Sequence, residues 1–136
     1  MSVVAELIKT ESNGALSFGN YELGEKAKKE DYECAGNLYK VKTFKEMTKL
    51  ERDGMFVYES VPGTAVHDFT TTAEGVEFSV CGNEDAQIIL GLKEDSEYEV
   101  VVNGKSAGKM KTNLGGKLSL SVELAGMEQV AIAVKQ

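Results

Sequence analysis

His67 and Asp68 are neighbouring residues whose types could carry acid–base catalysis. A histidine titrates near neutral pH, and a carboxylate that accepts a hydrogen bond from its ring can orient it as a general base. Neighbours on a β-strand point to opposite faces, so this aspartate is badly placed to hold this histidine. The sequence contains no Gly-x-Ser-x-Gly elbow to supply a nucleophile. We therefore expect His67 to be a surface or half-buried strand residue.

Cys34, Cys81 and His67 are the only nitrogen or sulfur ligands that the side chains offer to a metal such as zinc. A zinc site takes about four ligands, and none of these residues is paired with another at a ligand spacing. Acidic residues stand near both cysteines, which disfavours a thiolate nucleophile. The sequence therefore predicts no metal site, no cofactor and two reduced, catalytically idle thiols. A disulfide between the two cysteines is the alternative.

Carboxylates are abundant enough to supply the catalytic pair of a glycoside hydrolase. The chain has 22 acidic residues, and four of them fall within expected strands: Glu33, Glu59, Glu77 and Glu99. Nothing in the sequence singles out one pair, and no tryptophan is present to stack on a sugar. We expect these glutamates to lie on solvated strand faces, and the catalytic residues of such an enzyme stay unknown.

Two acidic loops and one lysine-containing turn complete the candidates. Residues 83–85 and 94–97 carry the oxygen ligands of a weak calcium site, but neither has the spacing of an EF-hand. Residues 103–106, Asn-Gly-Lys-Ser, contain the end of a phosphate-binding loop, but Glu99 stands where the upstream glycine belongs. All three segments are predicted to be hairpin loops.

The charge balance argues against nucleic-acid and membrane partners. The formal net charge is -7, and Arg52 is the only arginine among 15 basic residues. Acids interrupt the densest lysine run, at 25–31, so it lacks the clustered positive charge that phosphate backbones attract. Glu51 and Asp53 flank Arg52 and are expected to occupy its guanidinium. The first residues lack the pattern of a secretory signal, which predicts a cytoplasmic protein.

Turn residues recur along the whole chain and predict an all-β protein of short antiparallel strands and hairpins. Of the 14 glycines, several stand in dipeptides typical of hairpin turns: Asn13-Gly14, Gly36-Asn37, Asp53-Gly54 and Asn103-Gly104. Residues 64–136 contain about seven short apolar runs, which indicates an immunoglobulin-like β-sandwich in this C-terminal half. In the last run, Val130, Ile132 and Val134 alternate with alanines, so we expect a core strand that is covered on both faces.

The N-terminal half, residues 1–63, is predicted to be rich in hairpins, and the sequence of one segment fits either a helix or a hairpin. Over 43–53, Thr43 and Glu46 have the spacing of a capping box, which predicts a short helix, whereas Asp53-Gly54 predicts a hairpin. Residues 61–64, Val-Pro-Gly-Thr, are typical of a type II turn and mark the boundary between 1–63 and 64–136. Because no flexible linker joins the halves, we expect them to pack together as one compact unit.

Three segments resemble a family of small bacterial proteins that are often labelled "endosialidase". They are SFGNY at 17–21, GMFVYESVPGT at 54–64 and GKMKTN at 108–113, and the resemblance covers nearly the whole chain. The label implies hydrolysis of sialic-acid polymers, but a propeller-type sialidase anchors its substrate with an arginine triad, and this chain has one arginine. Residues 98–124 are also similar in pattern to β-sandwich modules appended to carbohydrate-active enzymes.

Three hypotheses of function follow from the sequence. The first is a non-catalytic binding or assembly module with a carbohydrate or protein partner. The second is a carbohydrate-processing enzyme that uses a carboxylate pair, as the label implies. The third is a self-assembling structural protein, a homo-oligomer whose edge strands pair between copies. Because the residue patterns that catalysis requires are scarce in this sequence, we favour the first hypothesis.

Overall fold

A computed structural model describes residues 2–136 as a β-sandwich of two sheets. The strands are β1 (Ile8–Thr10), β2 (Leu16–Phe18), β3 (Ala27–Cys34), β4 (Asn37–Phe44), β5 (Met47–Arg52), β6 (Met55–Val61), β7 (Ala65–Thr72), β8 (Gly75–Cys81), β9 (Ala86–Gly91), β10 (Glu97–Val102), β11 (Lys105–Lys111), β12 (Lys117–Val122) and β13 (Val130–Lys135). A seven-stranded sheet has the order β1-β2-β7-β8-β13-β10-β11, a six-stranded sheet has the order β12-β9-β6-β5-β4-β3, and neighbouring strands run antiparallel. The all-β prediction is confirmed, and no part of the described chain forms a helix long and apolar enough to cross a membrane.

Each sheet contains strands from both halves of the chain. β2 pairs with β7 in the seven-stranded sheet, and β6 pairs with β9 in the six-stranded sheet. Strands β7 to β13 are the seven strands that the apolar runs predict for residues 64–136. The inward faces of both sheets share one core, which is centred on four aromatic rings, those of Phe18, Tyr58, Phe69 and Phe78.

The hairpin turns form where residues adopt positive φ angles. Asp53 and Gly54 have φ angles of 50° and 79°, as a type I′ turn requires. The segment 43–53 is therefore strand, turn and strand, and the helix alternative is wrong. Thr43 does not cap a helix; it faces Thr48 across the β4–β5 pair, with 2.8 Å between their hydroxyl oxygens. The β3–β4 turn uses residues 35–36, one residue earlier than predicted.

The chain crosses from the six-stranded to the seven-stranded sheet at residues 62–64, and the type II turn predicted there is wrong. Such a turn needs a positive φ at Gly63, which this glycine does not have. Glycine is required here for space, because a Cβ on Gly63 would lie 2.0 Å from the carbonyl oxygen of Phe44. The Gly63 amide donates to the Lys45 carbonyl at 3.0 Å, which holds the crossover against the β4–β5 turn.

A chain of hydroxyl groups joins this crossover to the core. The buried Tyr58 phenol and the Ser60 hydroxyl each lie 2.8 Å from Oγ1 of Thr64. The Thr64 amide donates to Oγ1 of Thr48 at 3.1 Å, and that oxygen lies 2.8 Å from Oγ1 of Thr43. We call these five residues the crossover network. It ties strands β4, β5 and β6 of one sheet to the segment that begins β7 of the other.

Strand β13 lies inside the seven-stranded sheet, between β8 and β10. Val130, Ile132 and Val134 are at most 2% exposed, so the predicted core strand is confirmed. The expectation of two covered faces is wrong, because Ala131 is exposed and Ala133 is only half-buried. The six-stranded sheet covers one face of β13, and nothing of the described chain packs over Ala131 on the other.

Truncating the central core residue of β13 should destabilise the whole sandwich. Ile132→Ala removes a buried side chain and leaves a cavity between the sheets, so we expect a loss of about 2–5 kcal/mol in the free energy of unfolding. Denaturant unfolding followed by circular dichroism measures this loss. The matched control is Ala131→Ser on the exposed face, which should change stability by less than about 0.5 kcal/mol. Equal losses in the two variants would show that β13 is not the core strand.

The crossover network should make stability fall in alkaline solution. Burial raises the pKa of Tyr58 above its usual value near 10, and hydrogen bonds from Thr64 and Ser60 lower it in part. The unfolded chain then loses this proton first, so the stabilising effect is complete below about pH 10 and decreases as the pH rises above it.

Tyr58→Phe removes this ionisation. We expect it to cost about 0.5–1.5 kcal/mol at neutral pH through the lost hydrogen bond, and to lose less stability than the parent above about pH 10. Urea unfolding across the pH range measures both effects. Phe18→Leu, which alters a ring in contact with Tyr58 without removing a titrating group, is the control and should shift stability equally at every pH. Parallel alkaline losses in the parent and Tyr58→Phe would contradict this account.

Candidate functional site

The two sheets leave an open slot between them at the end of the sandwich that carries the β5–β6 and β7–β8 turns. Two adjoining openings, each enclosing about 380 Å³, meet at Arg52 and Thr71, which line both. We call the two openings together the Arg52 slot. The polar side chains that line the first opening include Arg52, Thr71, Thr72, Lys93, Tyr98 and Lys117.

The alternation of strand β5 places Arg52 in the slot. Thr48 and Leu50 are fully buried, and because successive side chains point to opposite faces, Arg52 points to the same inner face at the end of the strand. Glu51 points outward and lines a separate groove on the outer face of the sheet. Arg52 and Glu51 are therefore neighbours in sequence but point to opposite faces of the six-stranded sheet.

The expectation that Glu51 and Asp53 occupy the Arg52 guanidinium is wrong. Asp53 Oδ1 accepts a hydrogen bond from the Leu38 amide at 2.9 Å, which fixes this carboxylate in the β5–β6 turn. Within residues 2–136, no carboxylate lies within ion-pair distance of the guanidinium. No aspartate or glutamate side chain lines either opening of the slot, although the chain contains 22 acidic residues.

Lys117 begins β12 at the rim of the first opening, and its ammonium lies over the ring of Phe56 on the outer face of the six-stranded sheet. Its Nζ lies 4.7 Å from the ring centroid, and Nζ of Lys49 lies 5.9 Å from the same centroid. A cation over an aromatic face is attracted by the ring quadrupole, so the ring holds both ammonium groups on this outer face. A Cβ on Gly91 would lie 2.3 Å from the Phe56 carbonyl oxygen, so only glycine allows β9 to approach β6 this closely here.

Lys93 is positioned by its backbone. Its amide donates to the Tyr98 hydroxyl at 3.2 Å, and its carbonyl accepts a hydrogen bond from Thr112 Oγ1 at 2.6 Å. These bonds join the loop after β9 to β10 and to the residue that follows β11. Hydrogen bonds to the side chains of Tyr98 and Thr112 therefore fix the loop after β9 at the rim of the slot.

Two acids that follow Lys93 in the sequence form ion pairs with lysines outside the slot. Asp95 pairs with Lys111 at 3.1 Å, and Glu97 lies 3.9 Å from Lys109. Arg52 thus points into a recess that lacks acidic side chains, with Lys93 and Lys117 at its rim, in a protein of net charge -7. Such a recess can bind an anionic group, and the guanidinium can contact a carboxylate or phosphate through two parallel hydrogen bonds.

His67 and Asp68 lie away from the slot and do not act on each other. Nε2 of His67 lies 2.7 Å from the Ser2 carbonyl oxygen, so this ring nitrogen carries the donated proton. Asp68 has a φ angle of 57° within the bulge that interrupts the β7–β8 register, and its amide donates to Ser17 Oγ at 3.2 Å. His67 is half-buried on its strand, as predicted.

The two cysteines are free and lie at opposite ends of the sandwich. Cys34 ends β3 in the six-stranded sheet and lines the second opening of the slot, whereas Cys81 ends β8 in the seven-stranded sheet. The disulfide alternative is therefore wrong. Burial raises the pKa of the Cys81 thiol, and a hydrogen bond with Tyr21 opposes this in part.

The four strand glutamates lie on the outer faces of the sheets. Two strands separate Glu33 from Glu59 in the six-stranded sheet, and β13 separates Glu77 from Glu99 in the other. Because neighbouring strands lie about 4.8 Å apart, these separations are about 14 Å and at least about 10 Å. A glycosidase pair is about 5–9.5 Å apart. Lys135, on the intervening strand, pairs with Glu77 at 3.0 Å.

The acidic loops and the Asn-Gly-Lys-Ser segment have structural roles. Asp85 Oδ1 accepts the amides of Leu124 and Ala125 at 2.9 and 3.0 Å, and so holds the loop after β12. Residues 103–104 form the β10–β11 hairpin turn, as predicted, with φ angles of 50° and 82°. Among the described residues, no group of three or more histidine, cysteine, aspartate or glutamate side chains is placed to hold a metal ion.

Lys93, Tyr98, Lys117 and Thr71 are the site residues that the sequence does not single out. They lie on different strands and loops, and only the packing of the two sheets brings them to Arg52. The sequence feature that could have identified this site is the single arginine of the chain, at an inward-facing position of β5. The acidic residues on either side of Arg52 instead suggested that its charge was neutralised by ion pairs.

The two thiols should differ sharply in reactivity. Cys34 is half-buried at the open slot, whereas Cys81 is buried and its thiol pKa is raised. We expect a disulfide reagent to modify one thiol in the folded protein and the second only on unfolding, because the thiolate is the reactive form. Absorbance of the released thiolate measures both phases. Cys34→Ser is the control and should abolish the first phase alone; loss of the slow phase instead would reverse the assignment.

Comparisons of the chain with protein-family models, with curated proteins and with solved structures find no match.

Proposed function

We propose that this protein is a non-catalytic binding module, and that its ligand presents a carboxylate or a similar small anionic group to Arg52 in the slot. The observation that supports the proposal is the segregation of charge: Arg52, Lys93 and Lys117 line a recess without an acidic side chain. The guanidinium supplies the directional contact, and the two ammonium groups supply point charges at the rim.

The position of Arg52 favours binding energetically. Its side chain is half-buried at the end of a core strand, where a charge is less screened by water than on an open surface. A hydrogen bond to a charged group contributes about 1.5–3 kcal/mol when both partners are held in place. The backbone hydrogen bonds of Lys93 fix the loop that carries it at the rim before a ligand arrives, which reduces the entropy cost of binding.

The apolar walls add a second requirement for the ligand. Val57, Val76 and Leu92 line the first opening beside the cations. An anionic group attached to a compact apolar or ring-shaped body would therefore fit this recess better than an isolated inorganic ion. The alternative function, carbohydrate processing by a carboxylate pair, has weaker support because the strand glutamates lie further apart than such a pair requires.

The other sequence-based expectations extend this proposal. The immunoglobulin-like arrangement, the cytoplasmic location and the relation to endosialidase-labelled proteins stay predictions. A binding module without turnover is compatible with each of them, and oligomers of sialic acid should remain uncleaved when incubated with the protein.

Replacing Arg52 should remove most of the affinity for anions. Titration of 15N-labelled protein with succinate, followed by amide chemical shifts, should show saturable changes at residues of the slot. We expect Arg52→Ala to weaken binding about 10- to 100-fold, which corresponds to a lost charged hydrogen bond. Arg52→Lys should give an intermediate affinity, because an ammonium group keeps the charge but loses the two-pronged contact.

Lys105→Ala is the matched control, since Lys105 lies exposed in the β10–β11 hairpin at the other end of the sandwich. It should retain the parent affinity. Inorganic phosphate and neutral erythritol complete the titrations, and erythritol should leave the slot amides unchanged. Equal weakening by Arg52→Ala and Lys105→Ala, or shifts by erythritol as large as those by succinate, would refute anion binding in the slot.

A further inference from the structure

The sandwich has four edge strands, and three of them have features that hinder pairing with another chain. β1 has only three residues. β3 has a bulge in its pairing with β4 and a run of charged side chains, and β11 has a bulge in its pairing with β10 and three lysines. Short length, bulges and edge lysines are the means by which natural sheets prevent edge-to-edge association.

Strand β12 lacks these protective features. Its six residues, Lys117–Val122, pair with β9 in an unbroken register, and β9 is its only hydrogen-bonded neighbour in the sheet. Its one charged residue is Lys117 at the first position, and none of its residues has a positive φ angle. The outer edge of β12 is therefore a regular strand. Asn113 bonds the amide and the carbonyl of Lys117, so the backbone groups available to a further strand are those of the residues after it.

The side chains of β12 are arranged as those of an internal strand. Leu118, Leu120 and Val122 are at most 4% exposed and belong to the core, whereas Ser119 and Ser121 are exposed on the outer face. An added strand would continue the core with its apolar face and would meet two small polar residues on the other face.

We propose that the added strand is β12 of a second copy, paired antiparallel about a two-fold axis at Leu120. In this register Leu118 lies opposite Val122 of the second copy, and Ser119 lies opposite Ser121. The two six-stranded sheets then form one continuous twelve-stranded sheet. The same patch meets itself, which is the isologous arrangement typical of two-fold dimers.

The sequence of β12 is complementary to itself in this register. Apolar residues meet apolar residues on the core face, and hydroxyls meet hydroxyls on the outer face, where cross-strand pairs stabilise a sheet. At each end, Lys117 comes opposite Glu123 of the second copy, so the charges attract at both ends. A shift by one residue would place the core face of one copy against the outer face of the other.

The rest of the sheet limits this assembly to two copies. The far edge of the six-stranded sheet is β3, whose bulge and charges hinder further pairing. A two-fold contact through β12 consumes both unprotected edges and closes the assembly. The dimer makes no use of Arg52, although it places Lys117, at the rim of the slot, opposite Glu123 of the second copy. Sedimentation therefore tests the dimer separately from anion binding.

The test introduces charge at Ser119 and Ser121 on the outer face of β12 without disturbing the core. In Ser119→Lys/Ser121→Lys, lysines of the two copies face each other across the axis; in Ser119→Glu/Ser121→Glu, glutamates do. We expect the parent to sediment as a dimer of the 14.7 kDa chain and each double variant to sediment as a monomer. An equimolar mixture of the two variants should restore the dimer, since each lysine then faces a glutamate.

Melting temperatures show that the variants stay folded, and Ser106→Lys on β11 is the matched control that should leave the dimer intact. A parent that stays monomeric at high protein concentration would overturn the proposal. A dimer that persists in both double variants, or a mixture that stays monomeric, would also overturn it, because the interface would then lie elsewhere or not exist.

Discussion

The crossover network around Tyr58 and Thr64 is the constraint on which the relative placement of the two sheets depends. Tyr58 is fully buried, and a buried hydroxyl without a partner is costly. Its partner is on the crossover between the sheets, so satisfying the phenol also fixes where the chain enters the second sheet. Through Thr48 and Thr43 the same network reaches back across β5 and β4. The hydrogen bonds of the crossover network, together with apolar packing, therefore fix the relative position of the two sheets at this end.

This fixed end explains why the other end can stay open. With the crossover network holding the sheets together at one end, the separation at the far end is set by core side chains, among them Val57, Val76 and Phe69. Their thickness keeps the sheets apart by about 10 Å, as in other sandwiches, and leaves room beyond the last core layer. Arg52 enters that room because the alternation that buries Thr48 and Leu50 continues to the end of β5.

Local features of the fold were predictable from the sequence, and long-range ones were not. Asp53-Gly54 determines its own turn, and the alternation at Val130, Ile132 and Val134 identifies a core strand without knowledge of its partners. The sequence of 43–53 fits both a helix and a hairpin, because the spacing of Thr43 and Glu46 suits a helix cap as well as a strand. The pairing of this segment with β6 and the contact between the Thr43 and Thr48 hydroxyls decide between the two structures. The sequence around Gly63 predicts a type II turn, because nothing local shows that Phe44 lies against this glycine. The residues that line the slot belong to strands that are distant in sequence. The sequence therefore shows Arg52 as the single arginine but does not show which residues surround it.

The distribution of charge bears on which anions this protein can admit. Carboxylates cover the outer faces, and their summed field repels an approaching anion over about one Debye length, roughly 8 Å at physiological ionic strength. The cations of the slot act at shorter range and only on a group that enters the recess. On the proposal that the slot binds an anion, a polyanion would have to keep most of its charge outside, against the outer carboxylates. A small molecule could place one anionic group beside Arg52 and leave the rest of its structure at the mouth. The same distribution of charge that makes the surface acidic would therefore favour small anions over polyanions in the slot.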